Sequence, residues 1–325
     1  MRLNERLDLS DRRVRMLFAK HGISPSQTSD PYAIVPLAAY VALLEDTADL
    51  IGDPLLGAAM GKTYRPADLG PVGILFSLSP TLRVAFERLS RLLPAFQAQT
   101  SVALLNDGEN AAWVYKVSNA RIWPRRQDAE YAMSATCAMA RIICGPNWRP
   151  REIRFEHDAP TDPAVTKSLR KLLGGPISFG HSINALILSA EDVDRVRHVE
   201  DAGLTTILEH HIADLAGDDA LAPPSVGQAV RTVLDINLGH TPISAGMVAE
   251  RLGVPVRTLQ RRLADEGLSL RQLIETHRLT VAEQRLKQGG TPIGRLAEML
   301  GYSDAASFSR AYRAWCGHPP TADRR

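Results

Sequence analysis

Polar side chains near the C-terminus have the types and spacing needed to hydrogen-bond the edges of nucleic-acid bases. Arg257, Gln260 and Arg261 lie away from Leu259 and Leu263, which are four residues apart on one face of a predicted helix. Arginine can bridge O6 and N7 of guanine, and glutamine can bridge N6 and N7 of adenine, in a major groove that admits a helix. This pattern predicts a helix that reads base edges.

The residues before that helix predict how it is positioned. Ile243–Leu252 has the periodicity of a short helix, and Gly253 is expected to end it as a C′ glycine. Pro255 is suited to the start of the next helix because its φ angle is already fixed. A short helix, a tight glycine turn and a polar-faced helix are typical of a helix-turn-helix unit.

The pattern recurs further along the chain. Pro292–Leu300 predicts a second short amphipathic helix, Gly301 ends it, and Ser303 with Asp304 can cap the next helix, Ala305–Trp315. That helix is expected to bury three aromatic side chains and to expose three polar ones: Phe308, Tyr312 and Trp315 against Ser309, Arg310 and Arg313.

A helical segment between the two units, Ser269–Gln288, sets their expected separation. At 1.5 Å per residue it is about 30 Å long, and one turn of B-DNA is about 34 Å. One chain could therefore place two helices in successive major grooves. Because alanine offers only a methyl contact, Ala305 and Ala306 predict that the second helix contacts phosphates more than bases.

These residues closely resemble the signature of the AraC/XylS family of bacterial transcription regulators. The resemblance is carried by Gly301–Pro320, by Leu259–Leu263, and by linker-helix positions that include Arg278 and Leu286. Three positions depart from the family pattern: Pro255 replaces a Ser-type cap, Ala305 and Ala306 replace long polar side chains, and Asp323 replaces an aromatic residue.

The resemblance implies a DNA-binding domain at residues 225–325 with two helix-turn-helix units. It assigns Arg257, Gln260 and Arg261 to base reading in one groove, with Thr258 on the backbone or a methyl group. In the next groove, Ser309 and Arg310 are expected to dock the second helix-turn-helix unit on the DNA, together with Asp304 at the helix start.

Composition agrees with a two-domain protein. The chain has 325 residues and a formal net charge of +2. From Leu221 onward, fourteen Lys and Arg stand against nine Asp and Glu, and the remaining 24 basic residues stand against 27 acidic ones. The basic excess coincides with the predicted DNA-binding domain.

The sequence also indicates where the protein is found. Three cysteines make no disulfide framework, and the sequence has neither a signal-peptide pattern nor a membrane span. We therefore expect a cytoplasmic location.

Residues 1–200 mix helical and strand patterns, which predicts an α+β domain. The clearest strand signal is a hairpin in which Ser101–Leu105 and Ala111–Val117 flank an Asp-Gly turn. Looser motifs at Gly70–Gly73, Gly145–Pro150 and Phe179–Ala185 resemble the sensor domain of an AraC/XylS subgroup that includes regulators of arginine and ornithine use. This implies a small-molecule effector. No effector-binding residues follow from the sequence beyond two candidate stretches, Gly70–Ser79 and Trp113–Tyr115.

Residues 201–224 are predicted to be a helix and a linker. The helix carries an apolar stripe at helical spacing: Leu204, Ile207, Leu208, His211 and Leu215. Two interpretations stay open, packing on its own domain and dimerisation. Gly217–Pro224 predicts a hinge, and Ser225 can cap the following helix, Val226–Ile236.

Residues that could support catalysis or metal binding have simpler interpretations. His210 and Asp214 are one helical turn apart but lack a third ligand, and Cys137 with Cys144 gives only two of the three or four that zinc needs. His157 and His181 lie near predicted strands, where a histidine is more often structural than part of a binding pocket. The sequence lacks a phosphate-binding glycine loop and a Gly-x-Ser-x-Gly turn. A DNA-repair enzyme with an AraC-type domain would need a four-cysteine zinc site, and this sequence has only two cysteines before the predicted DNA-binding domain.

The sequence therefore predicts a ligand-responsive transcription activator that is not an enzyme and needs no metal or other cofactor. Its expected partners are double-stranded promoter DNA, a small-molecule effector, RNA polymerase and a second copy of the chain, with no membrane. A ligand-independent architectural DNA-binding protein is the alternative.

Overall fold

The computed structural model describes residues 2–29, 33–107, 109–119, 121–217, 224–237, 243–289 and 291–324. Apart from the short segment 118–121, the described residues before 218 form one compact unit, and those from 224 onward form a second. The predicted hinge lies largely outside the described residues, as does Gly108 of the predicted hairpin turn.

The first unit contains helices and a sheet. Its helices are α1 (Arg12–Lys20), α2 (Pro25–Ser29), α3 (Leu37–Ile51), α4 (Leu56–Lys62), α5 (Gly70–Ser77), α6 (Leu82–Phe96), α7 (Arg126–Cys144), α8 (Pro163–Leu173), α9 (Ala190–Asp194) and α10 (Ala202–Ala216). Its strands are β1 (Thr100–Asp107), β2 (Asn110–Val117), β3 (Glu152–Arg154), β4 (Ile177–Ser178) and β5 (Asn184–Ser189). Short 3₁₀ turns cover Arg2–Arg6 and Pro66–Leu69.

The described strands form one sheet with the order β1-β2-β5-β3-β4, in which β3 and β4 are parallel and the other neighbours antiparallel. The predicted hairpin is confirmed, with Leu104 opposite Trp113 and Thr100 opposite Val117. Strand β4 has two residues, which is too short to give a periodic signal in the sequence.

The main core of the first unit lies between the sheet and its helices. Trp113 on β2 stacks on Phe86 at 4.6 Å between ring centroids, and Phe76 meets Phe86 edge-on at 5.3 Å. Helix α6 contains Pro94 in its last turn and continues to Phe96. A proline in the last turn removes one hydrogen bond, and Gln97 N–H still donates to the Leu93 carbonyl at 2.8 Å.

Helix α4 packs directly against the backbone of α7 because two of its residues have no side chain. A Cβ at Gly57 would lie 2.0 Å from the Gln127 carbonyl oxygen, and one at Gly61 would lie 2.5 Å from the Tyr131 carbonyl oxygen. No side chain fits at such distances, so these glycines set the approach of the two helices.

The second unit is helical: α11 (Val226–Asn237), α12 (Ala245–Arg251), α13 (Val256–Asp265), α14 (Leu270–Gln288), α15 (Ile293–Met299) and α16 (Ala305–Cys316), followed by a 3₁₀ turn at Pro320–Ala322. One apolar cluster joins α11, α12 and α13 to the first half of α14 through Leu273. Another joins α15 and α16 to its second half through Ala282 and Leu286. The predicted fold class, an α+β domain followed by an all-α domain, is confirmed. Among the described helices, none is long and apolar enough to cross a bilayer.

Candidate nucleic-acid interface

Two turns of the second unit have the same backbone hydrogen bonds. After α12, Gly253 N–H donates to the Glu250 carbonyl at 3.1 Å, and Val254 N–H donates to the Ala249 carbonyl at 3.0 Å. After α15, Gly301 N–H and Tyr302 N–H repeat these bonds at 2.9 Å each. The glycines have φ angles of 64° and 75°. Both are Schellman turns, in which the left-handed residue is a glycine, so the two predicted helix-turn-helix units are present.

The two helices that follow these turns begin differently. Pro255 precedes α13 without a side-chain cap, as the sequence predicted. At α16, Asp304 Oδ1 accepts the Ser307 N–H at 2.6 Å, and this bond holds the pKa of Asp304 below its usual value. Asp304 therefore positions the start of α16.

Helix α13 presents an exposed polar face. Leu259 and Leu263 are buried, whereas Arg257, Gln260 and Arg261 are exposed. Within the described part of the chain, none of these three polar side chains makes a hydrogen bond or an ion pair. Their donors and acceptors are therefore free for an external partner with base-edge chemistry.

Thr258, next to Arg257 on α13, is half-buried. Its hydroxyl and methyl group lie at the boundary between the polar face and the core, which is compatible with a backbone or methyl contact.

Helix α16 presents shorter side chains and one arginine. Arg310 is exposed, and its Nη2 donates to Ser307 Oγ at 3.0 Å, whereas Ser309 is half-buried. Ser307 was not selected from the sequence, although its spacing from Asp304 is that of a capping pair. Trp315 was expected to be buried, but it is only half-buried, because Phe308 and Tyr312 fill the core at this point.

A contact at the middle of α14 links the two helix-turn-helix units. The Arg278 guanidinium lies over the Tyr302 ring, 4.8 Å from its centroid. Tyr302 follows the second turn directly, and Arg278 belongs to the connecting helix. The sequence placed Arg278 in the family pattern but gave no sign of this contact, which depends on the tertiary packing of α14 against α15 and α16.

A second contact ties the start of α11 to the end of α13. The Glu266 carboxylate accepts the N–H groups of Val226 and Gly227 at 2.7 and 2.9 Å, and these bonds lower the pKa of Glu266. Glu266 is the C-cap residue of α13. The start of α11 is thus held directly against the end of α13.

The two stretches considered for effector binding contribute mainly to the core of the first unit. Trp113 is buried in the aromatic core and the Gly70–Ser79 stretch is mostly helix α5, which buries Val72, Leu75 and Phe76.

The residues considered for catalysis or metal binding differ in burial and in protonation state. Burial raises the pKa of Cys137 to about 12 and that of Cys144 to about 11, so both are thiols near neutral pH. Burial lowers the pKa of His157 to about 4, so it is neutral. His210 and Asp214 are exposed. Among the described residues, no three potential ligands come together as a metal site.

Helix α10 has two different apolar faces. Thr205 and Ile212 are buried, and Leu208 packs against the main core. Ile207 is 66% exposed, and Leu204 and Leu215 are exposed as well. The predicted stripe therefore divides: Leu208 packs on its own unit, and the other four residues, His211 included, are exposed.

Two helix-turn-helix units joined by one connecting helix define the second unit as a DNA-binding domain of the double helix-turn-helix class. Comparison with known families agrees. Residues 12–196 match the arabinose-binding N-terminal domain of AraC transcription regulators, and residues 248–325 match a helix-turn-helix domain. The chain belongs to the AraC family of transcription regulators.

The chain is similar to several known regulators. The chain is 30% identical over 307 residues to the transcriptional regulator VirS of Mycobacterium tuberculosis, covering 92% of this chain and 86% of VirS. It is 22% identical over 313 residues to the ornithine utilization regulator of Pseudomonas aeruginosa, covering 94% and 88%. A crystal structure of the regulator CdpR from Pseudomonas aeruginosa aligns over 97% of this chain and 98% of CdpR, with a TM-score of 0.46 and 22% identity.

Proposed function

We propose that this regulator binds promoter DNA sequence-specifically, with α13 reading bases in one major groove. The observation that carries the proposal is the exposed face of Arg257, Gln260 and Arg261, whose side chains are unengaged within the described chain. Exposed arginine and glutamine side chains on a helix after a tight turn are suited to bidentate contacts with guanine and adenine.

Helix α16 docks in the next groove and contacts mainly phosphates. Ala305 and Ala306 at its start are too short for hydrogen bonds to bases. Arg310 supplies positive charge, and Ser309 supplies a hydroxyl near the backbone. The 19 residues of α14 correspond to about 28 Å at 1.5 Å per residue, which is compatible with grooves about 34 Å apart.

The first unit acts as the effector-sensing domain, and the protein is a ligand-responsive activator that recruits RNA polymerase. Support comes from the match to an effector-binding domain and from a relative whose name refers to ornithine utilization. An effector shifts DNA binding only if it has different affinities for two arrangements of the protein.

The relatives named above are regulators, which supports a non-enzymatic role. Action on chromosomal DNA requires a cytoplasmic location.

A homodimer formed through the outward face of α10 is part of this proposal. Leu204, Ile207 and Leu215 share that face. An apolar face of this kind on an exposed helix is suited to a two-fold contact with a second copy.

The test of base reading uses Arg261→Ala. If Arg261 contacts a base, the variant loses about 1–3 kcal/mol on the cognate site and relaxes specificity at one base pair. A fluorescence-anisotropy titration with cognate and random duplexes measures both affinities. Lys287→Ala is the control, because it removes one exposed positive charge from α14 outside the reading helices. Equal loss on both duplexes for Arg261→Ala would contradict base reading and favour an architectural DNA-binding role.

A further inference from the structure

An open groove lies beside the polar face of α13. Its walls come from the residues that begin α12, from one side of α13 and from the first half of α14, and its volume is about 560 Å³. Gln260 and Ala264 line it from α13, while Arg271 and Arg278 line it from α14. Small-molecule sites have volumes of this order. The groove is therefore large enough to hold a small organic ligand.

Apolar side chains form much of the wall of this groove. Ile243, Leu268, Leu270 and Ile274 line it, and each is only partly buried. All four pack against the apolar cluster shared by α11, α12, α13 and the first half of α14, so the core holds one side of each residue. Partly accessible apolar surface gathered around one concavity is suited to an apolar ligand. The groove therefore favours a ligand with a hydrocarbon body.

The charged side chains that line the groove carry one excess positive charge. They are two arginines, Arg271 and Arg278, and one carboxylate, Glu275. Arg271 Nε donates to Glu275 Oε1 at 2.9 Å, so this pair balances itself. Arg278 supplies the remaining charge, and its buried Nε has no hydrogen-bond partner among the described residues. Because an unsatisfied buried donor is costly, the groove favours a ligand with an anionic acceptor.

The groove also adjoins the surface that is proposed to read DNA. Gln260 belongs to both, since it lines the groove and is one of the three exposed polar residues of α13. A ligand that contacts Gln260 occupies space that a base edge needs. Filling the groove and placing α13 in a major groove are therefore competing events.

We propose that this groove binds an organic anion with an apolar body, such as an alkyl carboxylate, and that the bound anion competes with DNA for α13. The carboxylate lies at Arg271 and Arg278, and the alkyl chain lies on Leu268 and Ile274. A neutral compound would bury the same apolar surface but leave the excess charge unbalanced. The site is separate from the effector site proposed for the first unit. The competition rests on the proposed reading role of Gln260, whereas the binding chemistry does not.

Isothermal titration calorimetry on the full-length chain tests the class of ligand. The probe is octanoate. Octanamide has the same chain without the charge, acetate has the charge without the chain, and octyltrimethylammonium has the opposite charge. We expect octanoate to bind more tightly than each of the three. Equal or tighter binding of any of them, or no saturable binding of octanoate, would overturn the assignment.

Variants of Ala264 locate the site. This residue is exposed and lines the groove, so a larger side chain fills the groove without entering the core. Ala264→Phe should weaken octanoate binding at least about tenfold, because the ring takes the space of the ligand. Ala264→Ser is the matched control and should retain binding, and thermal unfolding establishes that both variants are folded. Unchanged octanoate affinity in folded Ala264→Phe would place octanoate elsewhere and overturn the site.

Two charge variants test the position of the carboxylate. Arg271→Gln should weaken octanoate binding by about twofold to fivefold, and Glu275→Gln should tighten it by a similar factor, the size expected for exposed charges. Arg295→Gln is the control, because Arg295 pairs with Glu298 on α15, outside the groove. Structural damage would shift both groove variants in the same direction. A shift of both in one direction, or of neither, would contradict an anion held at these arginines.

DNA titrations with and without octanoate separate the site from the function. Octanoate should raise the apparent Kd of the wild-type protein for cognate DNA. Octanoate binding that leaves this Kd unchanged would contradict the competition. Specific DNA binding by a protein that does not bind octanoate would contradict the site and leave base reading standing. Octanoate binding by a protein that does not distinguish cognate from random DNA would contradict base reading and leave the site standing.

Discussion

Removing the Arg278 guanidinium should uncouple the two reading helices. In Arg278→Leu the guanidinium 4.8 Å above the Tyr302 ring is lost, a contact that contributes about 0.5–2 kcal/mol. Because α14 belongs to the cores of both helix-turn-helix units, we expect a small loss in the free energy of unfolding. The larger effect should be a looser angle between α13 and α16.

The assay is DNA affinity as a function of the spacing between the two half-sites. The wild-type protein should lose affinity steeply when five base pairs, half a helical turn, are inserted. In Arg278→Leu the affinity for the natural spacing should fall by up to about tenfold, the equivalent of 1.4 kcal/mol, and the spacing dependence should weaken. Lys287→Leu is the matched control, because it removes one charge from the same helix. Identical spacing profiles for the wild type and Arg278→Leu would refute the reasoning.

Three further predictions concern packing, pH and assembly. Gly57→Ala should reduce the free energy of unfolding by about 1–3 kcal/mol in urea titrations, since its Cβ would lie 2.0 Å from the Gln127 carbonyl oxygen. Burial raises the pKa of Glu45 in the folded protein, so the folded protein binds this proton more tightly than the unfolded chain does. The stability that Glu45 contributes therefore falls as pH rises from about 4.5 to about 7. The free energy of unfolding of Glu45→Gln, relative to that of the wild type, should therefore be higher at pH 7.5 than at pH 4. Ile207→Glu should shift a dimer to monomer in light scattering, whereas Thr206→Glu on the neighbouring exposed position should not.

Each of these predictions has a contradicting result. Wild-type stability of Gly57→Ala would mean that α4 and α7 can move apart at no cost. A pH-independent difference between Glu45→Gln and the wild type would mean that Glu45 titrates normally. A stable Ile207→Glu dimer would show that α10 does not form the interface.

Local signals predicted the helix-turn-helix units well. Gly253 and Gly301 end their helices at the expected positions because a left-handed C′ residue strongly favours glycine, a preference that needs no tertiary information. The hairpin was likewise predicted from two strand-forming segments around an Asp-Gly turn.

Contacts between distant segments could not be read from the sequence. Nothing in the sequence around Arg278 reveals that Tyr302 lies beneath it, because the two residues meet only when α14 packs on the second helix-turn-helix unit. The carboxyls of Glu45 and Asp128 look like ordinary polar positions in their helices. Their burial depends on how α3 packs against α7, which hydrophobic periodicity does not specify.

The most direct test of sequence-specific regulation is the salt-dependent binding of the full-length protein to the DNA upstream of its own gene, compared with random duplex. A specific complex at least about 10³-fold tighter than the random one, with affinity falling steeply as salt rises, is the predicted result. Binding that is equally tight on both duplexes, or absent from both, would contradict a base-reading role for α13.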